Sequence, residues 1–235
     1  MTEHLDGVAG IAALAEPARR ALYLYVVAQP DAVGREQAAA ALDLPVHTAK
    51  FHLDRLVTEG LLDVEFRRLT GRTGPGAGRP SKLYRRSATE FAVSVPERRY
   101  DLAGRILASA VDRATRESVP VASVVRDVAM EAGREASAGM PVEVAADAPE
   151  PERAADLMRA YGYEPRLVDA DLVLVNCPFD TLAREHTELV CGMNEAFVEG
   201  ALAGLGCATL SARLQPDPEL CCVRVRVADE AAAAD

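Results

Sequence analysis

The chain has 235 residues, is 49% hydrophobic and carries a formal net charge of −10. No run of about 18 apolar residues suggests a membrane span. The opening MTEHLDGVAG lacks the basic region and cleavage pattern of a secretory leader, so a cytoplasmic protein is expected. There the five cysteines serve more readily as thiols, metal ligands or redox sensors than as structural disulfides. The length suits one large domain or two modest ones. The charge is divided unevenly: residues 1–100 sum to +2 and residues 101–235 to −12. A basic patch can therefore act locally, because screening in cells reaches only about 8 Å.

Glu16-Pro17 opens a helix with Pro at its tolerated first position. Ala21, Leu22, Leu24, Tyr25 and Val26 give it an apolar face, and Gln29-Pro30 ends it. Gly34 to Leu42 reads as a second, Ala-rich helix, and LDLPV leads to a third. In the third, Ala49, Leu53, Leu56 and Val57 recur at helical spacing and predict a buried stripe. His47, Lys50, Phe51, Asp54 and Arg55 then face outward. Gly60 stops the helix, and Leu61, Leu62, Val64 and Phe66 follow as a strand. From Arg67 to Arg86 the chain holds Arg67, Arg68, Arg72, Arg79, Lys82, Arg85 and Arg86 and no acid. Its middle, TGRTGPGAGRPS, is too rich in Gly and Pro for a helix or a central strand.

Two short helices, a tight turn, an outward helix and a basic hairpin describe a winged helix-turn-helix. The outward helix suits a major groove and the wing suits phosphates or the minor groove. The expected contacts to double-stranded operator DNA are His47, Thr48, Lys50, Phe51 and Arg55 from the helix, with Arg72, Arg79 and Lys82 from the wing. Two roles stay open for Phe51: contact with a thymine methyl, or packing beneath the wing. The segments LAEPARRALYLYV, AAALDLPVHTAKFHLDRLVTEGLL and GRPSKLY resemble the ArsR/DeoR-like winged-helix regulators over roughly residues 10–90.

Ser87 to Tyr100 reads as a transition with a strand ended by Pro96. Asp101 to Glu117 is a helix with Leu102, Ile106, Ala110, Val111 and Ala114 on one side, and Pro120 precedes another at Val121 to Ser137. These two helices suit either a dimer seam or packing within one subunit. Pseudo-palindromic operators favour a homodimer. Pro141 to Pro151 reads as a loop and Glu152 to Tyr161 as a short helix. Arg166 to Val175 reads as a strand or hairpin, and helical sequence runs from Pro178 to about Leu205. Cys207 to Leu214 and Cys221 to Val227 read as two strands joined by QPDPE. The expected fold is α+β: a winged helix-turn-helix in 1–90, linking and dimerisation helices in 91–140, and a cysteine-containing sensor domain in 141–235.

Cys177, Cys191, Cys207, Cys221 and Cys222 all lie in the last 60 residues. No short C-x-x-C knuckle is present, so spacing alone is a weak metal signal. One unbroken helix from Pro178 would hold Cys191 roughly 20 Å from Cys177. Shared ligation therefore needs a break, and Thr187 offers an N-cap for a second helix. His186 is an alternative ligand, or a core residue on a stripe with Leu182, Leu189, Met193 and Phe197.

NCPFDTLAREHTELVCGMNEAF and the late CCVRV resemble the rear domain of the SufR-type iron–sulfur-sensing repressors, over most of residues 90–227. The resemblance implies that Cys177, Cys191 and one of Cys221 or Cys222 hold an iron–sulfur cluster, with Cys207 as the remaining ligand. It also implies that cluster occupancy controls promoter binding. Zinc, a thiol switch or an apolar effector are the alternatives. No phosphate-binding Gly loop and no H-E-x-x-H occurs, so an enzyme is not expected.

Overall fold

The computed structural model describes residues 3–68, 80–139, 148–168, 171–217 and 219–227. The chain separates into two compact units, residues 1–93 and 94–235. The first is a helical domain with a small sheet and the second is α+β, so the expected fold class holds.

The first unit contains α1 (Glu3–Ala13), α2 (Pro17–Val27), β1 (Val33–Gly34), α3 (Arg35–Ala41), α4 (Val46–Thr58), β2 (Leu62–Arg67) and β3 (Ser81–Arg86). At the start of α2 the Glu16 carboxylate accepts the Ala18 and Arg19 backbone N–H groups, which the helix itself leaves unpaired. Leu22 and Val26 are buried, but Leu24 is 56% exposed. The expected apolar face is therefore narrower than its composition suggests, because two residues along a helix is about 200° of rotation. Along α4 Ala49, Leu53 and Leu56 are buried and Val57 packs at their edge. Burying each of these leucines contributes about 2 kcal/mol. The helix ends at Gly60, whose φ of 74° is accessible to glycine without strain.

β2 and β3 pair antiparallel from Leu62↔Arg86 to Arg67↔Ser81. β1 adds to the outside of β3, giving the order β1-β3-β2. Leu62, Leu83 and Tyr84 are the buried residues of this sheet beside Val33. Neither α1 nor β1 is expected from the sequence; a two-residue strand falls below any periodicity window.

The second unit contains α5 (Tyr100–Glu117), α6 (Val121–Ala138), α7 (Glu150–Ala160), β4 (Pro165–Val168), β5 (Asp171–Leu174), α8 (Asp180–Glu185), α9 (Thr187–Gly204), β6 (Leu210–Leu214) and β7 (Val223–Val227). Its sheet is antiparallel, in the order β4-β5-β7-β6. Residues 87–99 form no strand, contrary to expectation. In α5 the predicted stripe is buried except Val111, which is 51% exposed one step beyond Ala110. The expected loop at Pro141–Pro151 lies largely outside the described residues, and α7 begins at Glu150. α5 and α6, which the sequence places in the 91–140 segment, share one apolar core with α7, α9 and the sheet.

α9 is the centre of that core, with Val190, Met193, Ala196, Phe197, Ala201 and Leu202 all buried. It crosses α6 with no side chains between the two backbones. A Cβ on Gly200 would stand 2.8 Å from Met130 Cα and closer to Met130 O, and one on Gly133 would stand 2.7 Å from the Ala201 nitrogen. Glycine is what permits this approach. Among the described residues no helix is long and apolar enough to cross a membrane.

Candidate functional site

Two places in the fold concentrate chemistry: the outer side of α4 with β3 in the first unit, and a cysteine-lined cavity in the second.

On α4, His47 and Phe51 are one turn apart and both exposed, with Phe51 66% exposed. Among the aromatic contacts of the described residues its ring meets that of the neighbouring His52, edge to face; the wing loop, 69–79, lies outside the described residues, so both expected roles of Phe51 stay open. Thr48 is half-buried. Arg55 is exposed and ion-paired to Glu59 at 2.5 Å. Arg72 and Arg79 lie outside the described residues.

Lys50 and Lys82 meet the same carboxylate. Asp54 accepts Lys82 Nζ at 2.5 Å, Tyr84 Oη at 2.8 Å and Lys50 Nζ at 3.1 Å. The Lys82 ammonium also lies 5.1 Å from the centre of the Tyr84 ring. Burial alone would raise the Asp54 carboxyl, but the hydrogen bonds from Lys82, Tyr84 and Lys50 outweigh it and hold it at about 2. Burial, and then the carboxylate beside it, push the Tyr84 hydroxyl well up. Asp54 is thus the joint between the outward helix and the inner wing strand. Sequence reasoning placed it merely among the outward residues. The available signal was a lone acid on α4 followed by the acid-free basic stretch Arg67 to Arg86.

In the second unit a cavity of about 580 Å³ is lined by Cys177, Cys191, Cys221 and Cys222, with Arg98 and Asp180 among its polar residues. Three features of the backbone assemble it. The helical stretch after Pro178 breaks at His186, whose φ of −134° and ψ of 55° turn the chain between α8 and α9. That break lets Cys191 return toward Cys177. Thr187 is the first residue of α9 rather than its cap, and its hydroxyl donates to the Ala183 carbonyl at 2.7 Å. The Cys221 backbone N–H donates to the Leu174 carbonyl at 3.0 Å, fixing the segment before β7 against β5. Asn176, itself buried, donates to the carbonyls of Glu97 and Gly162 and accepts from Arg98, which anchors the approach to Cys177.

The thiols are paired. A hydrogen bond from Cys221 holds the Cys177 thiol below its usual value, and the same contact drives the Cys221 thiol up. Burial, then the nearby Cys222, push Cys191 up to about 12. Cys207 stands apart. It is buried, does not line the cavity, and its thiol donates to the Glu150 carbonyl at 3.8 Å. His186 is exposed where the chain breaks, and Leu189 is exposed in the first turn of α9, although it keeps the helical spacing of Met193 and Phe197. His186 does not line the cavity either. Among the described residues no three His, Cys, Asp or Glu side chains converge tightly enough to hold a single metal ion.

Residues 14–65 match the family model of a helix-turn-helix domain. The match runs from before α2 into β2 and includes all of α4. The first unit is therefore a DNA-binding helix-turn-helix domain of the kind found in transcription regulators, and β2 with β3 gives it the strands of a wing. No characterised protein and no solved structure matches the chain significantly.

Proposed function

We propose that the chain is a dimeric transcriptional repressor whose operator binding is controlled by an iron–sulfur cluster held in the second unit. The observation that carries this reading is the gathering of four thiols around one cavity from three separated stretches of chain. The donors are soft sulfur, the ligand type such clusters take. Thiolates also suit zinc, so metal analysis of the protein separates the two. Cys177, Cys191, Cys221 and Cys222 are the ligand set the cavity supports, in place of a set that includes Cys207. When bound, the cluster supplies a centre sensitive to oxygen and to redox state. Asn176 and Arg98 hold the Cys177 backbone in place, and the Cys221 amide bond to Leu174 does the same from the other side.

The test is iron, sulfide and absorption on full-length protein prepared without oxygen, with each cysteine replaced by serine. Cys177→Ser and Cys191→Ser are expected to lose the cluster, and Cys207→Ser to keep it in parental amount. A colourless parent that also resists anaerobic reconstitution overturns the reading.

In the DNA-binding unit, His47 and Phe51 are the groups that reach base edges, with Phe51 against a thymine methyl. Phe51→Ala is expected to keep the parental fold, since the ring is exposed. Its specific affinity should fall by about 1 kcal/mol or more, the lower end of one lost base contact, with the salt slope unchanged. Operators selected from a random pool, then resynthesised with uracil for thymine, check this. Equal loss on uracil DNA for parent and variant would argue against the methyl contact.

A further inference from the structure

α9 is apolar along its buried side except at Asn194, which is 1% exposed. Its carbonyl Oδ1 accepts the Tyr163 hydroxyl at 2.5 Å, and Tyr163 is itself buried, at 2% exposure. Its Nδ2 donates to the Cys221 sulfur at 3.3 Å. Two polar side chains are thus placed in the core to aim one N–H at one sulfur. Burying an amide is costly unless its hydrogen bonds are good ones. A neutral thiol is a weak acceptor, whereas an acceptor carrying negative charge makes a bond about twice as strong. The arrangement suits a sulfur that is anionic when the protein works, as a cluster-bound thiolate is.

We propose that Asn194, held by Tyr163, is a positioning residue that fixes the Cys221 sulfur toward the cavity and sets the redox equilibrium of the cluster bound there. The proposal rests on the cluster reading above. An N–H directed at a ligand sulfur stabilises the reduced state, which carries one more negative charge, and so raises the reduction potential. The Tyr163 hydroxyl bond fixes which end of the amide faces the sulfur. Without it the side chain can turn and present oxygen instead.

The test is a redox titration of full-length protein reconstituted with iron and sulfide, comparing the parent with the Asn194→Leu, Tyr163→Phe double variant. The double variant removes both partners of the buried hydrogen bond and leaves neither unsatisfied, so a structural role alone predicts little change. The thermal midpoint of the cluster-free protein is measured beside it and should stay close to the parent's. The potential is expected to fall by the equivalent of about tenfold in the reduction equilibrium, or 59 mV for one electron. A folded double variant with the parental potential overturns the proposal and leaves the cluster reading standing. A parent that takes up no cluster overturns both. If the double variant does not fold, Tyr163→Phe decides: a shift in the same direction supports the proposal and an unchanged potential overturns it.

Discussion

Gly200→Ala is expected to lower the stability of residues 94–235 by about 3 kcal/mol, the upper range for adding a methyl to a packed core. The atoms in the way are backbone. The new Cβ would stand 2.8 Å from Met130 Cα and nearer to its carbonyl oxygen, so no side-chain rotation relieves the clash. α6 and α9 must separate, and that opens the core around Phe197 and Ala201. Gly133→Ala meets the same obstacle from the other helix, 2.7 Å from the Ala201 nitrogen. Gly104→Ala on α5 is the control, because nothing lies within 4 Å of its Cβ. That change should be neutral or stabilise by up to about 1 kcal/mol, since alanine suits a helix better than glycine. Thermal unfolding read at amides of α9 checks the pair. Equal midpoints for Gly200→Ala and Gly104→Ala would show that the two helices are not in backbone contact.

Asp54→Ala is expected to cost the first unit about 1–2 kcal/mol at neutral pH. A carboxyl lowered from 3.8 to about 2 corresponds to roughly 2.4 kcal/mol. A third of the side chain faces solvent, which reduces that figure. Because the folded value is depressed, the contribution is complete above about pH 4 and disappears as pH falls through about 2. The parent should therefore lose stability over that window and Asp54→Ala should not show this component. Urea unfolding followed by amide exchange in α4 reads both. Asp54→Asn has a second expected effect. It releases Lys50 and Lys82 from their shared partner, so binding to arbitrary duplex DNA should tighten at low salt. Two additional phosphate contacts would steepen the log–log salt slope by up to about 1.8. An unaltered slope would mean that Asp54 does not withhold either lysine from phosphate.

Elements carried by local signals were legible in the sequence. α2 follows its Glu-Pro start, α4 follows its 3.6-residue stripe, and the β4–β5 hairpin follows its alternation. The α8–α9 break was legible too, but only from the demand that two cysteines meet. What local pattern could not supply was sheet order. Cys207 and Cys221 each precede a strand, and nothing in their spacing tells which of them faces Cys177. The order β4-β5-β7-β6 decides it, because the segment leading into β7 is tied to β5 while Cys207 lies at the end of α9 beside Glu150. Leu24 and Val111 misled for a related reason: hydrophobic type was read as burial, although each points away from its helix's packed side. The α6–α9 contact was hidden as well, since a glycine in a helix gives no hint of the backbone it touches.

The isolation of Cys207 gives the molecule an internal clock. Its thiol is sealed by the turn at 207–209, whose Ala208 and Thr209 backbone N–H groups are both held by the Glu150 carboxylate, at 3.1 and 2.9 Å. A thiol reagent reaches Cys207 only when that turn or the whole unit opens. Cys191 and Cys221 are buried as well, whereas Cys177 and Cys222 are only half-buried. In one labelling time course, the rate at Cys207 therefore reports opening of its turn or unit, and a faster rate at Cys177 and Cys222 that appears only after loss of colour would report release of the cluster proposed above, separating two events that a loss of colour alone would merge.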